Sequence, residues 1–329
     1  MNSSNPLIDL DRSFSIAPMM GCTDRHCRKL FRLISPHTLL FTEMVVTGAL
    51  IHGDAPHYLR HSNDGPCVMQ LGGSNPIELA QSAKMAEAAG YQEINLNVGC
   101  PSDRVQYGGI GACLMAEPQL VADCMSAMQQ AVAVPVSVKC RIGIDDHQDY
   151  EFFRDFIEVV AKSGCSIFYV HARNAILKGL SPKENREIPP LKYDYVDRII
   201  KDFPSLSFYL NGGLKTCQDV ESALERVPGV MLGRAPYSNP YLLAEIEAQV
   251  FNHEPVSRQT IVDQYVSYGK SNEEAEQHPK HLLKHLLGLY TGLPGAKHFR
   301  RHLSENMFEP NVSMNLVYDA LEVSGLRDK

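Results

Sequence analysis

The sequence predicts an α/β chain: a closed (β/α)8 barrel, of the TIM-barrel class, followed by a smaller appendage. Three observations carry that expectation. Eight short apolar runs alternate with longer stretches of helical character, the pattern of repeated βα units. Several runs are apolar on both faces, as parallel strands buried on both sides are. The runs also end in hydrogen-bonding or charged residues, at the face where barrels assemble their sites. A chain of 329 residues has room for one barrel and a second, smaller unit.

The runs cover residues 15–19, 39–45, 66–71, 93–97, 135–140, 166–171, 207–211 and 229–233. Helical punctuation falls between them. Ser74-Asn75-Pro76 offers a cap followed by proline in the first turn, and Gly90 closes that helix. Glu117-Pro118 opens the next, Ser163-Gly164 closes the one beginning near Asp149, and Thr216 caps a helix running to Val227.

Composition narrows the function classes. The hydrophobic fraction of 44% with 21% charged residues reads as a soluble globular chain. No run approaches the roughly 20 apolar residues of a membrane span, and no basic-then-apolar leader is read at the start, so the expected compartment is cytoplasmic. Nine irregularly spaced cysteines suit a reducing compartment better than a disulfide framework, and no second pair completes a metal site with Cys22 and Cys27. A net charge of −7 argues against a general binder of DNA or RNA. Yet basic residues cluster at Arg25, His26, Arg28, Lys29 and Arg32, and again from Lys280 to His302. Each cluster alone reads as a solvated helix face.

The tips of the runs present Pro18-Met19, Glu43, Gln70, Asn97, Lys139 with Arg141, His171 with Arg173, Asn211-Gly212-Gly213 and Gly233-Arg234. One polar tip is a loop; eight in order make one pocket. Just past the fourth tip stands Cys100, in Asn97-Val98-Gly99-Cys100-Pro101-Ser102. An unperturbed thiol, with a pKa of about 8.5, is mostly protonated at neutral pH and so is a usable proton donor and a latent nucleophile.

Lys139 lies inside a buried-strand pattern and needs a partner. Three readings stand: an internal ion pair with Glu43, a cation facing an electron-rich cofactor ring, or a Schiff-base lysine. Glycine turns after the seventh and eighth runs occupy the corner where barrels often bind phosphate through backbone N–H groups. A phosphate-anchored flat ring facing Gln70 and Lys139 fits FMN. No Gly-x-Gly-x-x-Gly motif marks a resident dinucleotide.

Together these residues resemble the tRNA-dihydrouridine synthases. The resemblance rests on Ala17-Pro18-Met19, Glu43-Met44, Gln70-Leu71-Gly72, the block from Asn95 to Ser102, Lys139-Cys140-Arg141, His171-Ala172-Arg173, Asn211-Gly212-Gly213 and Gly233-Arg234. The stretch from Leu180 to Arg186 and the long C-terminal segment look like the bacterial A-type branch, which is expected to act on D-loop uridines twenty and twenty-a.

The resemblance implies an FMN-binding barrel over residues 1–240 and a helical tRNA-binding domain over residues 241–329. Helical patterns at residues 245–251, 260–270 and 279–290, and a last one after Asn311, agree with it. FMN ligands map to Ala17, Pro18, Met19, Gln70, Lys139, His171, Asn211, Gly212, Gly213, Gly233 and Arg234. The proton donor maps to Cys100, with Asn97 and Arg141 on the uracil edge. Lys183, Arg186, Arg300 and Arg301, with Phe299 and His302 nearby, are expected to contact the D-loop and elbow of tRNA. NADPH, with NADH as an alternative, would reduce FMN and leave; hydride then goes to C6 of uridine and the Cys100 proton to C5. No metal, membrane, DNA or obligate protein partner is called for.

Rival readings are an FMN-dependent small-molecule pyrimidine or enone reductase of the dihydroorotate dehydrogenase type, a Schiff-base aldolase using Lys139, and a non-enzymatic RNA-binding barrel.

Overall fold

A computed structural model describes residues 10–273 and 278–327. The residues before Leu10, where the absence of a leader pattern was read, lie outside the described residues.

Eight parallel strands form one sheet: β1 (Phe14–Ile16), β2 (Leu40–Val46), β3 (Cys67–Gly72), β4 (Glu93–Val98), β5 (Val136–Arg141), β6 (Ile167–His171), β7 (Ser207–Asn211) and β8 (Val230–Leu232). Each pairs with its sequence neighbour, and β8 returns to β1. The ring closes between β1 and β2 through the bridge Ser15–Leu39, with Ile16 N–H donating to Leu39 O at 2.9 Å and Leu39 N–H to Phe14 O at 3.1 Å. The barrel expected from the sequence is therefore present, with strand limits within three residues of those read.

Period-two alternation divides the strands between two cores. On β4, Ile94, Leu96 and Val98 point outward into the large core shared with the surrounding helices, whereas Glu93, Asn95 and Asn97 share the opposite face. The barrel interior holds a smaller apolar cluster that includes Phe41, Val68, Tyr169, Tyr209 and Met231. β4 is not among the strands apolar on both faces: its inward face is polar throughout.

The helices between strands start where the sequence places their caps. Asn75 Oδ1 accepts from the N–H groups of Ile77 and Glu78, opening Pro76–Ala88. Asp149 caps Tyr150–Ala161 through Phe152 N–H at 2.8 Å, and Thr216 with Asp219 forms a reciprocal capping box for Cys217–Leu224.

After β8 the described chain is helical: Leu242–Phe251, Arg258–Glu273, Lys280–Leu286, Ala296–Asn306 and Leu316–Ser324. The fourth of these was not expected, and the third is shorter than its pattern. The first three of these helices dock on Arg25–Ile34, the helix after β1, and the last two pack on each other. Asp24, its N-cap, meets Lys284 Nζ at 2.8 Å and His285 Nε2 at 2.9 Å. Buried Glu247 accepts from Ser35 and pairs with His37, and Tyr265 donates to His26 O at 3.2 Å. Among the described residues no helix is long and apolar enough to cross a membrane.

Candidate active site

The strand tips converge as the sequence suggests. Parallel pairing puts Asn97 beside Lys139, Arg141 beside His171, and His171 beside Asn211. Asn97 Nδ2 donates to Gln70 Oε1 at 2.9 Å. Lys139 Nζ donates to Asn211 Oδ1 at 3.1 Å, and Asn211 Nδ2 donates to Met231 O at 2.7 Å. The ion pair with Glu43 is not formed. Glu43 accepts instead from Gly21 N–H, beside β1; its strand is separated from β5 by β3 and β4.

The turn after β7 needs its glycines. Gly212 has φ +108°, and a Cβ there would lie 2.5 Å from His171 Cδ2. Gly213 has φ +80°, and its Cβ would lie 2.6 Å from the Tyr193 hydroxyl, which donates to Gly212 O at 2.6 Å. A Cβ on Gly233 would meet Met19 Sδ at 3.6 Å and Ala17 Cβ at 3.8 Å, so the first and last strand tips adjoin. Among the described residues, the N–H groups of Gly212, Gly213 and Gly233 have no hydrogen-bond acceptor. Arg234 follows, exposed and paired with Glu187 at 2.7 Å.

The electrostatics of this mouth are one-sided. Burial and then the neighbouring Arg141 push Lys139 down to about 8. Burial lowers Arg141 to about 9, with Arg186 and Arg173 adding to the effect against an opposing contribution from Cys100. Burial also holds His171 well below the usual imidazole range, reinforced by Arg141, Lys139, Arg173 and Arg186, so the ring is neutral at neutral pH. A group of cations that depress one another, beside backbone N–H groups at glycine turns, suits an anion. Those turns could take a phosphate group, and Lys139 with Gln70 a flat, electron-rich ring.

Cys100 is a free, half-buried thiol on a loop fixed from several sides. Its N–H donates to Asn97 Oδ1 at 3.0 Å, as does that of Gly99 at 3.2 Å. Its carbonyl accepts from Ala112 N–H at 2.9 Å. Gln106 Nε2 binds Pro101 O at 2.8 Å and Leu177 O at 3.0 Å, tying this loop to the one after β6. Arg141 does the same: Nε reaches Gly99 O at 3.3 Å, and Nη1 reaches Asn174 O at 3.2 Å and Asn185 O at 2.9 Å. These bonds commit two of its three nitrogens to the scaffold. Gln106, Gly111 and Tyr193 were missed from sequence; Gly111, in a Gly-x-Gly stretch just after the Cys100 block, carried a legible turn signal.

The basic residues divide by burial. Lys183 and Arg186 are exposed at the pocket rim, and Arg300 and Arg301 are exposed on Ala296–Asn306, with His302 half-buried. Phe299 must be withdrawn from the RNA-contacting set. It is fully buried, its ring 4.9 Å from that of Tyr290, because Phe299 and Leu303 form the apolar face of this helix. In the N-terminal cluster, Arg28 is buried against Asp64 and Arg32 is spent on backbone carbonyls; Arg25 and Lys29 stay half-exposed.

Fold and site together define a barrel enzyme whose pocket is built for an anionic ligand beside a thiol. The chain belongs to the dihydrouridine synthase family, whose model, Dihydrouridine synthase (Dus), matches residues 15–323. It is 48% identical over 318 residues to the tRNA-dihydrouridine(20/20a) synthase of Shewanella oneidensis, covering 96% of this chain and 95% of the relative. The proteins of that description from Vibrio cholerae and Pseudomonas putida are 51% and 52% identical, over 93% and 95% of this chain and 95% and 94% of their own lengths.

Proposed function

We propose that this chain reduces the C5=C6 bond of uridine to dihydrouridine in the D-loop of tRNA. The positions are 20 and 20a, those named for its relatives. The observation that carries this reading is the fixed Cys100 thiol at the rim of a cationic, glycine-lined pocket.

Gly212, Gly213, Gly233 and Arg234, with Gln70, Lys139, His171, Asn211 and the segment Ala17 to Met19, would hold FMN, which when bound and reduced by NADPH or NADH would supply the hydride chemistry at C6. This chain's residues do the rest. Lys139 places positive charge where electron density rises. Neutral His171 leaves that charge uncancelled and donates or accepts without ionising. Cys100 holds the proton that C5 takes up as the ring acquires enolate character, a role worth on the order of 10²–10⁴-fold for a positioned acid. Asn97 and the remaining nitrogen of Arg141 offer donors to the uracil carbonyls. Lys183, Arg186, Arg300, Arg301 and His302 meet the phosphates and edges of the folded tRNA, from which the uridine must be extruded.

The test is Cys100→Ala, with wild type as reference, in anaerobic single turnovers of reduced enzyme with unmodified tRNA. The variant binds FMN and oxidises NADPH like the wild type, and forms dihydrouridine at least about 10²-fold more slowly. Equal loss of both half-reactions removes the proton-donor role. A wild-type flavoprotein that ignores tRNA but reduces a small pyrimidine or enone overturns the substrate.

A further inference from the structure

Beneath the pocket, polar side chains cross the barrel interior in one continuous line. Arg12, below the strands, holds Glu93 Oε2 through Nε at 2.8 Å and Nη2 at 2.6 Å. Ser137 Oγ donates to Glu93 Oε1 at 2.6 Å, Asn95 Nδ2 to Ser137 Oγ at 2.8 Å, and Gln70 Nε2 to Asn95 Oδ1 at 2.8 Å. Asn97 Nδ2 then donates to Gln70 Oε1 at 2.9 Å and takes the Cys100 N–H on Oδ1 at 3.0 Å. Glu93, Asn95 and Ser137 are completely buried, and Gln70 is 1% exposed.

From Cys100 down to Glu93 every bond points the same way, Arg12 donates to that carboxylate from the other side, and both ends dictate that sense. At the top, backbone N–H groups can only donate, so Asn97 must turn its oxygen toward Cys100 and its nitrogen toward Gln70. At the bottom, a carboxylate already gripped by Arg12 accepts from Ser137, which frees the serine oxygen to accept from Asn95. Reversing any one amide sets donor against donor and acceptor against acceptor at two buried contacts. Each unmatched contact costs about 1–3 kcal/mol in such a setting. Asn97 Oδ1 is occupied by two backbone donors, so Asn97 meets the pocket only through its second Nδ2 hydrogen. Gln70 likewise retains one free Nε2 hydrogen.

The geometry points to Ser137 and Asn95 as positioning residues. Anchored on Glu93, they fix the amide orientation of Gln70 and Asn97, so that the pocket floor presents donors to a ring edge bearing carbonyl oxygens. Neither residue needs to touch a ligand to do this. The inference deepens the function proposed above and rests on it for the identity of that ring. The hydrogen-bond line itself is testable without it.

The experiment uses the full chain and three variants: Ser137→Ala, Asn95→Leu, and Val68→Ala as a control of comparable burial in the apolar part of the barrel interior. In the ligand-free protein, the side-chain amide hydrogens of Gln70 and Asn97 are followed by NMR exchange and assigned by their loss in Gln70→Leu and Asn97→Leu. Ser137→Ala is expected to accelerate exchange at Gln70 about 2- to 10-fold, the equivalent of one net hydrogen bond. Val68→Ala lowers the unfolding midpoint and leaves that exchange unchanged. On loading with FMN, Ser137→Ala shifts the visible bands of the flavin and weakens its binding by a similar factor, with KM for tRNA unchanged and kcat reduced. If Ser137→Ala and Asn95→Leu behave like Val68→Ala, with Gln70 and Asn97 exchange as in the wild type, the line is ordinary packing and the proposal is overturned. Faster exchange at Gln70 in a protein that binds no FMN upholds the positioning role and removes the flavin reading instead.

Discussion

Lys139 shows how one residue sets the working range of the pocket. Its ammonium faces Asn211 rather than a carboxylate, and burial brings its pKa to about 8. An anion that binds the protonated form is expected to lose affinity as pH rises through 8, approaching tenfold per unit. Titration of FMN between pH 7 and 9.5 checks this, and Lys139→Met should flatten the profile. The stability linkage has the matching sign. The folded pKa lies below the unfolded value of about 10.4, so the cost of burying the charge is full below pH 8 and is relieved as pH rises through that window. The pocket residues were legible because each stands at the polar end of an apolar run. Glu93, Asn95 and Ser137 were not, since a polar residue within a strand reads as solvent-facing until the ring closes around it. Arg28 and Arg32 misled for the opposite reason: their charges look like surface but serve Asp64 and backbone carbonyls inside.

At the scale of elements, the loop carrying Cys100 depends on the helical turn Gly111–Ala116 behind it. Gly111 has φ +81°, and a Cβ there would sit 2.6 Å from Cys100 O and 2.6 Å from Val105 Cγ1. Gly111→Ala combines a left-handed backbone with a clash against the thiol's own peptide unit. The expected cost is about 1–3 kcal/mol, with slower dihydrouridine formation and unchanged FMN affinity. Thermal unfolding together with single-turnover rates checks it; an unchanged midpoint would show that the turn yields freely. Strand and helix order was legible from apolar runs and caps. Ala296–Asn306 was missed because only Phe299 and Leu303 give it an apolar face, and glycines and a proline crowd its approach. The same sparse face explains why Phe299 was taken for a contact residue among basic neighbours.

For the whole molecule, the junction at Asp24 joins barrel and appended helices. Burial opposes ionisation there, but the bond from His285 and its charge, the bond from Lys284 and the N–H of Cys27 outweigh it and hold the carboxyl well below its usual range. With the folded pKa depressed, this stabilisation is complete above the unfolded value of about 4 and is lost as pH falls below it. Asp24→Asn keeps the helix cap and removes the charge, so at pH 7 it should cost about 1.5–3 kcal/mol. That difference should begin to shrink as pH falls below about 4 and vanish only once pH passes below the depressed folded value, as denaturant titrations would show. No sequence signal pairs Asp24 with residues some 260 positions away, because the contact exists only once both units have folded.

The ring itself is unevenly sewn. Strands β3 to β7 run side by side over four or five paired residues, whereas β7 meets β8 only at Leu210 with Val230 and Asn211 with Met231, and β1 meets β2 at one bridge. Local opening therefore begins on the β8–β1–β2 side, where few amides are locked. That side carries Gly233, Ala17 and Met19 and supports the helix that Asp24 caps. The ring is thus sewn like a cuff with a clasp, and its clasp lies between the glycine turn after β8 and the appended helices.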